Sequence, residues 1–408
     1  MGMAKSILIV SSLDAKGVEV QYLRDRIAKL GGDPMIMDMS LRQVGESGAD
    51  ITAAEVAKAA GISLTEISSS SKRAEIIEKM IEGAVVLVKK LEHEQKIDGI
   101  IGLGGATGSL MATEIMRSLC FGLPKVMVSS TASLPGLSTK YIGTSDITLI
   151  HSVVEISGLN DLLINVLERA ARAICAMAEV EAFQERRPES KSDRYIALTM
   201  LGPCEKCASR VRKGLEERGF QVVGFSAAGM GDRAMEEMIT KRLFDGVVDL
   251  APGGVGENLF GGMRDAGPHR MESAGRLGIS QIIAPCSVNH LTISKSKYMA
   301  KDHRRRKYDL DRFRTWLRVS PVELVKIADA FAEKLNKSNG KVRVLIPLRG
   351  WSSVDVHGNP TYDPDEDYVF VDELKKRLKP EIRVQEIEAN MEEPAFAEAV
   401  IEACHLFF

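Results

Sequence analysis

IDGIIGLGGATGSL, residues 97–110, sets an apolar run (Ile97, Ile100, Ile101) against four glycines between Gly102 and Gly108. Leu110, Met111 and Ile115 then recur at helical spacing, which reads as strand, glycine loop and helix. Such a junction aims bare backbone N–H groups and the positive end of a helix dipole at an anion. Glycine lets the backbone at Gly104, Gly105, Ala106 and Gly108 approach a ligand closely, while Thr107 and Ser109 supply hydroxyls or a helix cap. No Lys follows Gly108, so the stretch is not a P-loop. Thr107 stands where a third glycine would complete GxGxxG. A tight strand-to-helix turn that holds nothing is the alternative on these residues alone.

Working outward, the same alternation recurs on both sides. Residues 6–10 form an apolar strand that runs into SSLDAKGVE, placing Asp14, Lys16 and Gly17 at a strand's C-terminal end, where open α/β sheets hold ligands. A helix over 18–30, the strand PMIMDMS, a Gly-, Ser- and Ala-rich excursion over 45–70 and a helix over 71–92 lead to the glycine strand. LPKVMVSSTAS follows, a strand opening into Ser129, Ser130, Thr131 and Ser133, and YIGTSDITLIH then puts Asp146, Thr148 and His151 in one connection. A helix over 160–185 closes a first domain, residues 1–185. QERRPESKSDR, residues 184–194, carries a charged linker over 186–194, and the pattern restarts in a second domain, 195–408. There AGMGDRAMEEMI is another glycine loop opening a helix, with Gly229, Gly231 and Arg233. Short apolar strands alternating with helices predict an α/β protein of two Rossmann-like domains, each with a mainly parallel sheet, separated by a cleft.

Composition bounds the function. The chain has 408 residues, too many for one core, and its 27% charged and 45% apolar residues are those of an ordinary globular protein. A net charge of −2 does not point to nucleic acid as a partner. Six Cys without a leader or an apolar run of about 18 residues predict a reducing, cytoplasmic setting and no membrane span.

Several candidates have plainer roles. Asp14 and Lys16 would serve as a surface ion pair, Asp146 with Thr148 as a helix cap, and Asp232 as a charge complementing a helix dipole. Residues 301–318, rich in Lys and Arg, read as a solvated or inter-subunit segment before an anionic partner's site. His151 and His357 read as structural. Asp355, Asp363 and Asp365 lack EF-hand spacing.

Six motifs occur in one order: SSLDAKGVE, GLGGATGS, PKVMVSSTAS, YIGTSDIT before VVEISGLN, AGMGDRAMEE and GWSSVDVHGNPTYDPDED. Together they resemble the family of the ATP-binding N-terminal half of the tomato mosaic virus resistance protein and its bacterial and archaeal relatives, over nearly the whole chain. The resemblance implies a two-domain α/β molecule, often dimeric, with ATP held by the N-terminal region. Carried over, the family's nucleotide residues fall on Leu13, Asp14, Ala15, Lys16, Gly104, Gly105, Ala106, Thr107, Gly108, Ser109, the VSS serines, Asp146 and Thr148. Ala15 stands where the family has threonine. In the second loop Asp232 replaces a glycine and adds a negative charge beside Gly231. Lys16 is then expected on phosphate, and Asp14 or Asp146 on Mg²⁺ or a ribose. The expected role is a nucleotide-binding regulator or scaffold; an ATP-dependent phosphotransferase or ligase acting on a small metabolite is the alternative.

Two departures from the family carry an expectation of their own. GPCEKC stands where relatives have GVTTPC, and CSVNH where they have GALDM. Cys204, Cys207, Cys286 and His290 together make a ligand set suited to zinc, if the two strand ends meet.

Overall fold

The computed structural model of the chain describes residues 4–42, 48–69, 72–180, 194–312 and 314–408. The expected linker lies, up to residue 193, outside these, as do the end of the expected helix over 160–185 and parts of the 45–70 excursion. The chain divides into two compact units, Met1–Pro188 and Glu189–Phe408.

The first unit is built on five strands: β1 (Ser6–Ser11), β2 (Asp33–Asp38), β3 (Gly99–Gly104), β4 (Lys125–Ser129) and β5 (Ile147–His151). They lie in the order β2-β1-β3-β4-β5, every pair parallel. All six residues of β3 are buried, as a central parallel strand covered on both faces requires. Alternation sorts the side chains. Leu8, Val10 and Ile100 pack against the helices Arg73–His93 and Ala106–Ser118, while Ile7, Ile9, Ile101 and Leu103 pack against Leu13–Lys29 and Asp161–Ala178. Each fully buried aliphatic side chain contributes about 1.5–3 kcal/mol before the entropy of ordering it is set against it. β1 leads to β2 on one side and β3 continues to the other, so the winding direction reverses between β1 and β3. Ligands of doubly wound sheets collect outside the strand ends at such a point.

The second unit repeats the plan. Its sheet comprises β6 (Arg194–Met200), β7 (Phe220–Ser226), β8 (Gly246–Asp249), β9 (Ser280–Ile283), β13 (Val342–Pro347) and β14 (Arg383–Ile387). The order is β14-β13-β9-β8-β6-β7, with all pairs parallel. Between β9 and β13 the chain inserts a three-stranded antiparallel sheet of β10 (His290–Leu291), β11 (Lys307–Asp309) and β12 (Thr315–Arg318), in the order β10-β12-β11. Sequence reading leaves this insertion as an irregular basic segment, because strands of two to four residues carry no legible period. Three of its arginines are paired inside the unit: Arg305 with Asp302 and Glu323, Arg306 with Asp363 and Glu366, Arg318 with Asp367. Among the described residues no helix is long and apolar enough to cross a membrane.

Candidate functional site

The C-terminal ends of β1 and β3 open into a cavity of about 490 Å³ at the reversal point of the first sheet. One wall is the turn after β1, with Ser12, Asp14, Ala15 and Lys16; the floor is the run from Leu103 to Gly108. The strand-loop-helix reading of residues 97–110 is therefore the local structure, and it faces a cavity.

Its four glycines divide into two kinds. A β-carbon on Gly102 would come within 2.6 Å of Met127 Sδ and 2.7 Å of the Ala112 methyl. One on Gly104 would come within 2.9 Å of the Gly108 Cα. These two let the helix Ala106–Ser118 lie close on the sheet, and any side chain there would push it off. Gly105 and Gly108 are different. A β-carbon would meet nothing nearer than Ser130 Oγ at 3.7 Å and the Leu103 carbonyl at 3.7 Å, and Gly105 has φ −79°. Neither packing nor backbone conformation asks for glycine at these two positions, and both border the cavity. Gly105 caps the helix without any side-chain hydrogen bond. The first N–H groups of the helix, at Ala106, Thr107 and Gly108, have no acceptor one turn back and line the same space.

The β1 turn is held by an acid that the motifs do not include. Asp38, buried at the end of β2, accepts hydrogen bonds from Leu13 N (3.0 Å), Ser40 N (2.9 Å) and Ser40 Oγ (2.5 Å). The Ser40 hydroxyl accepts in turn from Asp14 N at 2.9 Å. Lys16 interrupts the helix Leu13–Lys29 at φ −134°, so Asp14 and Ala15 form a separate turn over the cavity. The Lys16 ammonium donates to the Ile156 carbonyl and lies 3.9 Å from Glu155. Burial, with Asp38 adding like charge, holds the Asp14 carboxyl above its ordinary value of 3.8 against the pull of Arg42. Arg42 and Arg73 also line the cavity, and Arg73 forms no ion pair among the described residues. The two arginines lie after β2 and at the start of a distant helix, outside every glycine motif, so only the fold brings them here. Leu41, Ile67, Ile76 and Met111 complete an apolar wall.

Other expected residues are elsewhere. Leu13 packs into the core between β1 and the helices on its face. Ser109 and Ser129 are fully buried and bonded to each other at 2.6 Å, with Thr131 N donating to Ser129 Oγ at 3.1 Å and the Thr131 hydroxyl engaged with Tyr141. These hydroxyls lock β4 to the glycine helix. Asp146 precedes β5 and Thr148 lies near its beginning. The register pairs Gly104 with Ser129 and Ser129 with His151, so Asp146 lies at the opposite edge of the sheet. There it accepts from Gly122 N and Lys125 Nζ, both at 2.8 Å. Parallel strands leave about 3.3 Å of rise per residue between such a position and the ligand edge, which rules Asp146 out of this cavity.

The second unit's glycine loop is filled by protein. Gly229 (φ +84°) lies against the Arg264–Asp265 backbone, Gly231 against the Ser226 carbonyl, and Arg233 bonds to Asp265. Asp232 turns inward, capping Gly229 N at 2.8 Å and pairing with buried Arg270.

The four expected zinc ligands do not assemble. Among the described residues no three His, Cys, Asp or Glu side chains are placed to share a metal. Cys204, Cys207 and Cys286 lie in one apolar cluster. Burial pushes the Cys207 thiol well above its usual range, and a hydrogen bond with Cys204 together with burial does the same to Cys286. His290 stands apart on β10 with its ring 5.1 Å from that of Trp316. A thiol reagent is therefore expected to leave Cys204, Cys207 and Cys286 unmodified until denaturant is added, with only the half-buried Cys120 and Cys175 open to slow attack. Rapid titration of more than two thiols in the native protein would contradict this packing.

Comparison with known proteins bears on the whole chain. Residues 5–183 match the profile described as the N-terminal domain of "Uncharacterised protein family (UPF0261)", and residues 193–408 match its C-terminal domain. A UPF0261 protein of Clostridium tetani is 34% identical over 98% of both chains. One of Brucella suis is 31% identical over 96% of this chain and 93% of its own. The ToMV resistance protein Tm-1 of Solanum lycopersicum is 29% identical over 76% of this chain and 41% of its own length.

Proposed function

The chain belongs to the UPF0261 family, and we propose that it binds ATP, or a related nucleotide, in the cavity between the ends of β1 and β3, in a regulatory or scaffold role. The observation that carries this reading is the pair Gly105 and Gly108, glycines that the fold does not need and a close ligand would. The cavity has the charges for it: Lys16, Arg42 and Arg73 against one lining carboxylate, Asp14, over the open end of a helix. The ordered motifs shared with the ATP-binding family point the same way.

In this reading the backbone N–H groups of Ala106, Thr107 and Gly108 hold phosphate oxygens, and the arginines and Lys16 balance their charge. The apolar wall of Leu41, Ile67, Ile76 and Met111 takes the uncharged part of the ligand. Mg²⁺ carried on the phosphates would meet Asp14, whose resistance to ionising would fall beside a cation.

Lys16→Ala is expected to weaken ATP by about 1–3 kcal/mol, the range for a charged hydrogen bond, and adenosine much less. Titration calorimetry with both ligands decides it, and equal losses would place Lys16 away from the phosphates. Steady release of phosphate from ATP would move the role from binder to enzyme.

Asp14 gives a pH signature. Its folded value lies above 3.8, so ionisation works against the fold. The stability that this group contributes is present below pH 3.8 and lost as pH rises through the folded value. Asp14→Asn should therefore raise the melting temperature of the ligand-free protein near neutrality and remove that slope. A lower melting temperature at pH 7 would contradict it.

A further inference from the structure

We propose a second anion site in the second unit, in the pocket of about 900 Å³ at the edge of the sheet where β13 and β14 begin. It takes a small, multiply charged anion, a polyphosphate or a polycarboxylate. Four cations line it: Lys341 just before β13, Arg343 within it, Lys379 after the helix Pro364–Arg377, and Arg383 at the start of β14. Among the described residues none of the four forms an ion pair. The neighbouring helix shows the usual arrangement, with Lys375 bound to Glu386, Lys376 to Asp372 and Glu373, and Arg377 to Asp329 and Glu373. Glu381 is the single acidic residue in the wall.

The cations are also held close. The Lys341 ammonium lies 5.9 Å and the Arg343 guanidinium 5.2 Å from the centre of one ring, Phe407. Two cations thus share one aromatic ring, with no carboxylate paired to either among the described residues. Arg343 Nε is buried without a hydrogen-bond partner, a group that ordinarily has one. An anion in the pocket would give these unpaired cations a counter-charge.

The shape selects the ligand class. The charges converge on a pocket rather than run as a stripe, and the Phe407 ring is already occupied by cations instead of being free for base stacking, which argues against single-stranded nucleic acid. This site is independent of the first-unit cavity, which lies in the other sheet.

The test is titration calorimetry of the full chain at 0.15 M NaCl with sodium tripolyphosphate and, separately, citrate. Wild type is compared with the triple variant Lys341→Gln, Arg343→Gln, Lys379→Gln and with Glu381→Gln. With the first-unit cavity blocked by Gly105→Arg in every protein compared, the expected result is one binding event that weakens about tenfold or more in the triple variant and tightens in Glu381→Gln. The tighter of the two probes names the source, phosphate or carboxylate. Unchanged affinity in a triple variant that melts like wild type, no tightening in Glu381→Gln, or no binding of either probe at this salt would overturn the proposal.

Discussion

A Gly105→Arg protein is expected to fold, to melt close to wild type, and to gain no thermal stability from ATP. The first half follows from the open space at Gly105: φ is −79° and a β-carbon finds nothing closer than 3.7 Å, so the backbone accepts a side chain without strain. The second half follows from where that side chain goes. It projects over the cavity floor, where the N–H groups of Ala106, Thr107 and Gly108 would meet phosphate. Ligand at about 100 times its dissociation constant stabilises the native state by about 2.7 kcal/mol, worth about 5–10 °C in a unit of this size. Wild type should show that shift in a thermal scan, and Gly105→Arg should lose nearly all of it. Gly102→Arg is the contrast: a side chain there would strike Met127 and Ala112, so that protein should fail at the level of the fold. An undiminished ATP shift in folded Gly105→Arg would move the site elsewhere.

The second large effect concerns stability in the other unit. Arg270 is 1% exposed and is the shared partner of three acids: Asp232 at 2.8 Å, Asp249 at 2.7 Å and Glu236 at 3.3 Å. Glu236 also accepts from Met271 N and Ser273 N, and Asp249 from the Thr199 hydroxyl, so the network ties β8 to the loop after residue 267. Removing one partner from a buried pair leaves its mates charged and unpaired, which costs about 3–5 kcal/mol. Arg270→Ala should therefore lower the melting temperature of the second unit by about 6–20 °C in calorimetry. The loss has a pH dependence. Burial holds the Asp249 carboxyl above the ordinary range even with Arg270 beside it, and without Arg270 it would rise further. Protonation neutralises the orphaned acids, so the gap between variant and wild type should narrow as pH falls. A loss below about 1 kcal/mol at pH 7 would show that the acids find other partners.

The sequence makes some of this plain and hides the rest, for physical reasons. The parallel sheets are legible because a strand covered on both faces is apolar throughout, as β3 is, and because glycine clusters mark where strands turn into helices. The cavity floor is legible for the same reason. What a linear motif cannot carry is the edge of the sheet on which it falls. DIT after a serine-rich strand looks like the end of a connection, yet Asp146 and Thr148 stand at the beginning of β5, one strand length from the ligand edge. Nor can glycine content separate packing from binding. Gly229 and Gly231 read like Gly105 and Gly108, but a β-carbon on the first pair would meet backbone within 3.1 Å, and on the second nothing nearer than 3.7 Å. The cysteines misled because spacing is blind to environment: Cys204, Cys207 and Cys286 do converge, but into an apolar cluster where thiols stay protonated, and His290 is not with them. Arg42, Arg73 and Asp38 were invisible because each lies outside any motif and only the reversal at β1 and β3 brings them together.

The central claim is that the cavity between β1 and β3 holds nucleotide phosphates on the Gly105–Gly108 backbone. A crystal structure of the full chain grown with a non-hydrolysable ATP analogue tests it most directly. Phosphate oxygens within hydrogen-bonding distance, about 2.7–3.2 Å, of the Ala106, Thr107 and Gly108 nitrogens are the expected result. Analogue bound at another place on the chain, with this cavity left to solvent at saturating concentration, would contradict it.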